Sequence, residues 1–233
     1  MIEIDSLCKT FGKLPVLRNL SATLPAGRAT AVIGHNGSGK TTLIKCILGM
    51  VIPDSGSIKI DDQEIRNQWE YRNRIGYMPQ IGRYPDNMRI NQVLGMMKDI
   101  RGRFQPGLDE ELVHKYALGE LGKKSMRTLS GGTRQKVSAA LAFMFSPDIL
   151  ILDEPTAGLD PVASEILKDK ITESKKAGRT ILITSHIMSE VEELADDILY
   201  LHNGTVGFYK SIAALKEETG EEKISKALAT LLK

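Results

Sequence analysis

The sequence predicts an α/β fold with a mostly parallel sheet, and three observations carry that prediction. Residues 29–33, 149–152 and 181–183 are short apolar runs, the profile of strands buried on both faces. Helical spacing follows them, as in Leu43, Ile44, Ile47 and Leu48 after the first, and Ile187, Val191 and Leu194 after the last. Strands that alternate with helices form βαβ units, whose crossovers make neighbouring strands parallel. At 233 residues the chain fits a single domain, 1–233, that carries an inserted subdomain.

Taken in order, residues 1–30 alternate weakly (Ile2, Ile4; Val16, Leu17, Leu20) and break at Gly12 and Pro15, which predicts strands and turns. The run at 29–33 stops at Gly34, and the helix after it ends at Gly49 with Pro53 beyond. Residues 81–145 differ: Met88, Met96, Met97, Met126 and Met144 lie among scattered helical spacing, with no buried-strand run. That stretch predicts a helical subdomain inserted between two halves of a core, residues 1–80 and 146–210. Asn203-Gly204, between 197–201 and 205–209, is the strongest short hairpin signal. Residues 211–233 predict a tail of two short amphipathic helices broken at Gly220.

Composition excludes several classes. The 31 Lys and Arg nearly balance 29 Asp and Glu, and no basic run stands out, so no nucleic-acid partner is expected. Cys8 and Cys46 are far apart and form no C-x-x-C pair, which suits free thiols in a reducing compartment. The N-terminus, Met1-Ile-Glu-Ile-Asp5, has no apolar core of the kind a signal peptide needs. The best apolar candidate for a membrane span, residues 43–52, holds Lys45 and falls short of the roughly 18 residues required. The expectation is a cytoplasmic chain; any membrane-spanning part comes from another polypeptide.

Chemistry concentrates in a few motifs. Residues 34–41, Gly-His-Asn-Gly-Ser-Gly-Lys-Thr, match G-x-x-x-x-G-K-[ST] between a predicted strand and a predicted helix. Glycines there let backbone N–H groups curl around phosphates at the positive end of the helix. Lys40 would pair with the β- and γ-phosphates of a nucleotide, and the Thr41 hydroxyl would hold Mg²⁺. The run at 149–152 ends in Asp153 and Glu154, at the strand edge where that loop opens. Asp153 suits Mg²⁺ coordination and Glu154 suits activation of an attacking water. Leu129-Ser-Gly-Gly-Thr133 precedes helical spacing at Val137, Ala140, Leu141 and Met144. Ser130 there is either the cap of a second anion site at a helix start or the cap of an ordinary loop.

Together these motifs resemble the ATP-binding cassette (ABC) family, in the family's order and over nearly the whole chain. Residues 129–133 are similar to the ABC signature, usually Leu-Ser-Gly-Gly-Gln, from which Thr133 departs. The resemblance implies a P-loop NTPase (RecA-like) core, an N-terminal antiparallel β subdomain and an inserted α-helical subdomain. It implies ATP binding by Gly34, His35, Asn36, Gly37, Ser38, Gly39, Lys40, Thr41 and Thr42. Phe11 would stack on adenine, although an aromatic among strands is otherwise core. Gln80 matches the Q-loop, Asp160 the D-loop and His186 the switch histidine. With Glu154, Gln80 and His186 form the catalytic set, and Thr41, Gln80 and Asp153 the Mg²⁺ set. His114 and His202 match nothing and read as surface residues.

The resemblance further implies a homodimer, with Ser130, Gly131 and Gly132 of one copy facing the nucleotide of the other. It implies integral membrane permease subunits docking near Gln80 and Tyr84, and a peripheral place on the inner face of the plasma membrane. A finer resemblance, through Gly-His-Asn-Gly and Tyr84-Pro85-Asp-Asn, is to the copper-processing ATPase of nitrous-oxide reductase maturation; it equally suits the wider exporter branch. The competing classes are a soluble ABC ATPase acting on nucleic acid or ribosomes, and a small-molecule kinase. The first usually carries a coiled-coil insertion or two cassettes, and the second lacks the signature, Q-loop and switch histidine.

Overall fold

The computed structural model describes residues 1–101 and 107–232. Residues 102–106 of the expected helical subdomain, and residue 233 of the expected tail, lie outside the described residues. Near the N-terminus, β1 (Ile2–Phe11), β2 (Leu14–Leu24), β4 (Ser55–Ile60) and β5 (Gln63–Glu64) form an antiparallel sheet in the order β2-β1-β4-β5. Ile2, Ile4, Leu7, Leu17, Leu20, Ile58 and Ile60 are buried in one cluster with α1 (Lys40–Ile47). Each such Leu or Ile contributes about 1.5–3 kcal/mol relative to staying exposed.

The second sheet holds β3 (Ala29–Ile33), β6 (Ile75–Met78), β7 (Ile149–Asp153), β8 (Thr180–Thr184), β9 (Asp197–His202) and β10 (Thr205–Ser211). Their order is β10-β9-β3-β8-β7-β6. β3, β7 and β8 are buried at every position, as their short apolar runs predict. β9, β3, β8, β7 and β6 pair in parallel. β10 returns antiparallel through Asn203 (φ 49°) and Gly204 (φ 81°), the two left-handed residues a type I′ hairpin turn needs.

Between β6 and β7 lie α2 (Ile90–Arg101), α3 (Glu111–Lys115) and α4 (Gly131–Phe143). α4 buries Val137 to Phe143 almost all round, which fits a helix enclosed by β6 and its helical neighbours. α5 (Pro161–Lys176) and α6 (Met188–Leu194) follow β7 and β8, and α7 (Ile212–Thr219) and α8 (Ile224–Leu231) pack near α6. Gly220, left-handed at φ 68°, ends α7 where the break was expected. Since five strands run the same way, the segments after β3, β6, β7, β8 and β9 all emerge at one edge of the sheet. That edge carries the site.

Candidate active site

The loop after β3 is shaped by its neighbours as much as by its own glycines. Gly39 has φ 106°, and a Cβ there would stand 2.8 Å from Leu17 Cδ2 and 3.1 Å from the Val16 carbonyl. α1 starts immediately after it with no side-chain cap and no acidic residue in its first turn. Its first N–H groups and the positive end of its dipole are therefore left for an anion. Lys40 Nζ donates to the carbonyls of Gly34 (2.7 Å) and His35 (3.2 Å). Burial pushes its pKa down, against the pull of Glu154 and Asp153.

Two carboxylates face this loop from the end of β7. Asp153 is buried and accepts a hydrogen bond from Thr184 Oγ1 at 2.5 Å. Burial raises its pKa, and the Thr184 hydroxyl opposes that rise. Glu154 is left-handed at φ 50°, a conformation that costs a non-glycine residue about 1 kcal/mol or more. Its N–H donates to both the carbonyl (3.1 Å) and the hydroxyl (3.0 Å) of Thr184, so the end of β8 holds the turn. Its carboxylate accepts from Gln80 Nε2 at 3.0 Å on one oxygen and lies 3.0 Å from His186 Nε2 on the other.

A cleft of about 450 Å³ collects most of the residues expected from sequence: Asn36 to Thr42, Gln80, Asp153, Glu154 and His186. Gly34 contributes its carbonyl to Lys40 from behind. The His35 ring turns away and meets the His202 ring edge-on, with centroids 5.5 Å apart. Phe11 is 48% exposed with Lys9 Nζ 5.5 Å over its ring, so it does not belong to the core. It stands outside the residues that line the cleft.

Ser130, Gly131, Gly132 and Asp160 also stand outside that cleft, at the starts of α4 and α5. Ser130 caps α4, and Asp160 caps α5 while accepting from Lys136 Nζ on α4 at 2.7 Å. A Cβ on Gly132 would stand 2.7 Å from the Gly158 carbonyl, so these two loops touch. Tyr84 is turned inward, its hydroxyl 2.9 Å from Ser138 Oγ on α4. Ile81, 67% exposed, and Arg83 face outward beside it.

A phosphate-type loop, a paired carboxylate edge and a Ser-Gly-Gly helix start thus occupy defined places in one chain. Residues 17–157 match the family model described as ABC transporter. The chain belongs to the ABC transporter family. A lantibiotic transport ATP-binding protein of Streptococcus pyogenes is 36% identical over 215 residues, covering 88% of this chain and 89% of the relative. An arginine transport ATP-binding protein of Bacillus subtilis is 33% identical over 214 residues, with the same coverage of 88% and 89%. A solved ATP-binding subunit of an ABC transporter superposes with a TM-score of 0.89 at 28% identity, over 100% of both chains. A dimeric ATP-binding cassette in a post-hydrolysis state, bound to ADP and Pi, shows the same fold: TM-score 0.78 at 21% identity, over 91% of this chain and 99% of that one.

The chain is therefore an ABC cassette: the ATP-binding, ATP-hydrolysing subunit of an ABC transporter. Several residues around its cleft were invisible to sequence reasoning. Leu14 and Val16 of β2 line the mouth, and Thr184 positions both carboxylates. His202 is exposed, as expected, yet engages His35. The register that sets Ile33 opposite Tyr200 brings residues 35 and 202 together, and only a predicted β3–β9 pairing could have signalled it.

Proposed function

We propose that ATP lies in this cleft with its phosphates on residues 34–42 and its base toward Phe11, and that Glu154 takes the proton of the attacking water. One observation carries the reading: the Glu154 carboxylate is fixed between Gln80 and His186, 3.0 Å from each. A base held from both sides needs little reorganisation when water arrives. Lys40 would exchange its two loop carbonyls for the β- and γ-phosphates. His186 and Gln80 would orient the water and the terminal phosphate.

The Thr41 hydroxyl, the Gln80 amide oxygen and the Asp153 carboxylate are hard oxygen donors in one cleft, and they fit Mg²⁺. Bound there, Mg²⁺ would supply neutralising charge to the phosphates. Among the described residues no group of three or more His, Cys, Asp or Glu could hold a metal ion, so copper processing draws no support from this chain's own side chains.

The reading extends to assembly. Ser130, Gly131, Gly132 and Asp160 lie outside their own chain's cleft, so a second copy turned head to tail would bring them to it. The solved cassette that shares this fold is dimeric, which supports pairing of two copies. We read residues 1–80 and 146–210 as the nucleotide-binding core, 81–145 as the helical subdomain and 211–233 as its tail. Among the described residues no helix is long and apolar enough to cross a membrane. The relatives' transport names support separate membrane subunits that hold the cassette on the inner face of the plasma membrane. A groove of about 320 Å³ lined by Ile81, Arg83, Tyr84, Asp86, Met126 and Arg134 is their proposed seat.

Calorimetry with Mg-ATP tests the nucleotide reading. Lys40→Ala should weaken binding by about tenfold or more, or about 1.4 kcal/mol. Unchanged affinity together with unchanged turnover would dismiss the site.

A further inference from the structure

The signature of this cassette carries threonine where the family form carries glutamine, and the structure gives that threonine a specific partner. Ser130 is the cap of α4, and Thr133 is the third residue of the helix. The Thr133 N–H donates to Ser130 Oγ at 3.2 Å, and the two hydroxyl oxygens lie 2.9 Å apart. In a capping box the third residue's side chain reaches back to the cap's backbone. Here it reaches the cap's own hydroxyl.

A serine hydroxyl has one proton to donate and two lone pairs to fill. When the Thr133 N–H and O–H both donate to Ser130 Oγ, its two acceptor positions are taken and its single proton must find an outside acceptor. In the reverse arrangement Ser130 donates to Thr133 and turns a lone pair outward, which repels an anion. An anionic ligand therefore selects the first arrangement. We infer that Thr133 is a positioning residue that commits the Ser130 hydroxyl proton to the terminal phosphate of a nucleotide held by a second copy of the chain. This rests on reading Ser130 as acting across the dimer. Threonine thus replaces a long amide side chain with a short hydroxyl that acts through its neighbour.

The test compares the parent chain with Thr133→Val, Thr133→Ser and Ser130→Ala. Valine keeps the backbone N–H cap and the shape but loses the hydroxyl; serine keeps the hydroxyl. Steady-state turnover gives kcat and the half-saturating ATP concentration. ADP affinity by calorimetry reports the chain's own phosphate loop, since ADP lacks the terminal phosphate, and a thermal melt reports the fold.

Thr133→Val should raise the half-saturating ATP concentration about tenfold, the effect of one weakened hydrogen bond to an anion. Its kcat, ADP affinity and melting midpoint should match the parent, and Thr133→Ser should behave as the parent does. Normal Thr133→Val with impaired Ser130→Ala overturns the positioning role and leaves the dimer reading standing. Normal Ser130→Ala overturns the dimer reading and this inference with it. A defect in Thr133→Val that serine does not rescue, or that comes with a lower midpoint, makes Thr133 merely structural and also overturns it.

Discussion

Asp153 sits where an apolar side chain would be more comfortable. It ends a strand buried at every position, and burial is the main cause of its raised pKa, with the Thr184 hydrogen bond opposing. A carboxyl whose folded pKa exceeds its unfolded value binds its proton more readily in the native state. Stability then falls as pH rises from the unfolded value through the folded one, and above both the cost is fully present. Asp153→Asn keeps an oxygen for Thr184 and removes the charge. Thermal melts across a pH series should show Asp153→Asn melting above the parent at neutral pH, with the gap closing toward acid, while ATP turnover is lost. An equal or lower midpoint at neutral pH would contradict the assignment of Asp153 as a destabilising, functional charge. Asp153 and Glu154 were legible in the sequence because acids at the end of an apolar run serve no packing purpose. Thr184 was not, since its role arises from the β7–β8 register that sets it beside Asp153.

At the scale of elements, legibility followed uninterrupted pattern. The runs behind β3, β7 and β8, and the Asn203-Gly204 hairpin, announce themselves in five or fewer residues. β1 gave only weak alternation because its register shifts between Ile4 and Leu7, beside a left-handed Ser6 at φ 50°. β6 escaped because it spans four residues and one is Gly76. The segment after β6 shows the same limit at a functional surface. Sequence alone nominated Tyr84 for partner docking; the fold ties its hydroxyl to Ser138 while Tyr84 still lines the proposed groove beside the outward Ile81 and Arg83. Ile81→Asp should cut co-purification of the membrane subunits about tenfold without moving the melting midpoint, as expected for an exposed interface anchor. Tyr84→Ala should instead destabilise the cassette by about 3 kcal/mol through lost packing and an orphaned hydroxyl. Parent-level recovery of the membrane subunits by Ile81→Asp would move the docking surface elsewhere.

At the scale of the whole molecule, the proposed pairing makes each chain two incomplete halves. Its cleft gathers the phosphate loop, Gln80, both carboxylates and His186, whereas Ser130 and Asp160 lie at helix starts outside it. The order of motifs made the family legible, and the expected pairing of two copies came with that resemblance rather than from any residue pattern of its own. In the proposed cycle, nucleotide-driven closure would be a population shift, in which two ATP molecules favour the paired state and hydrolysis releases it. Glu154→Gln isolates that step, since it keeps the shape of the side chain and removes the base. Light scattering on Glu154→Gln with and without Mg-ATP, alongside its turnover, is the most direct test. The account predicts turnover lowered about 10²–10⁴-fold and a mass rising from 25.7 kDa to twice that value when ATP is added. Hydrolysis at the parent rate, or a variant that stays at monomer mass in saturating ATP, would contradict it.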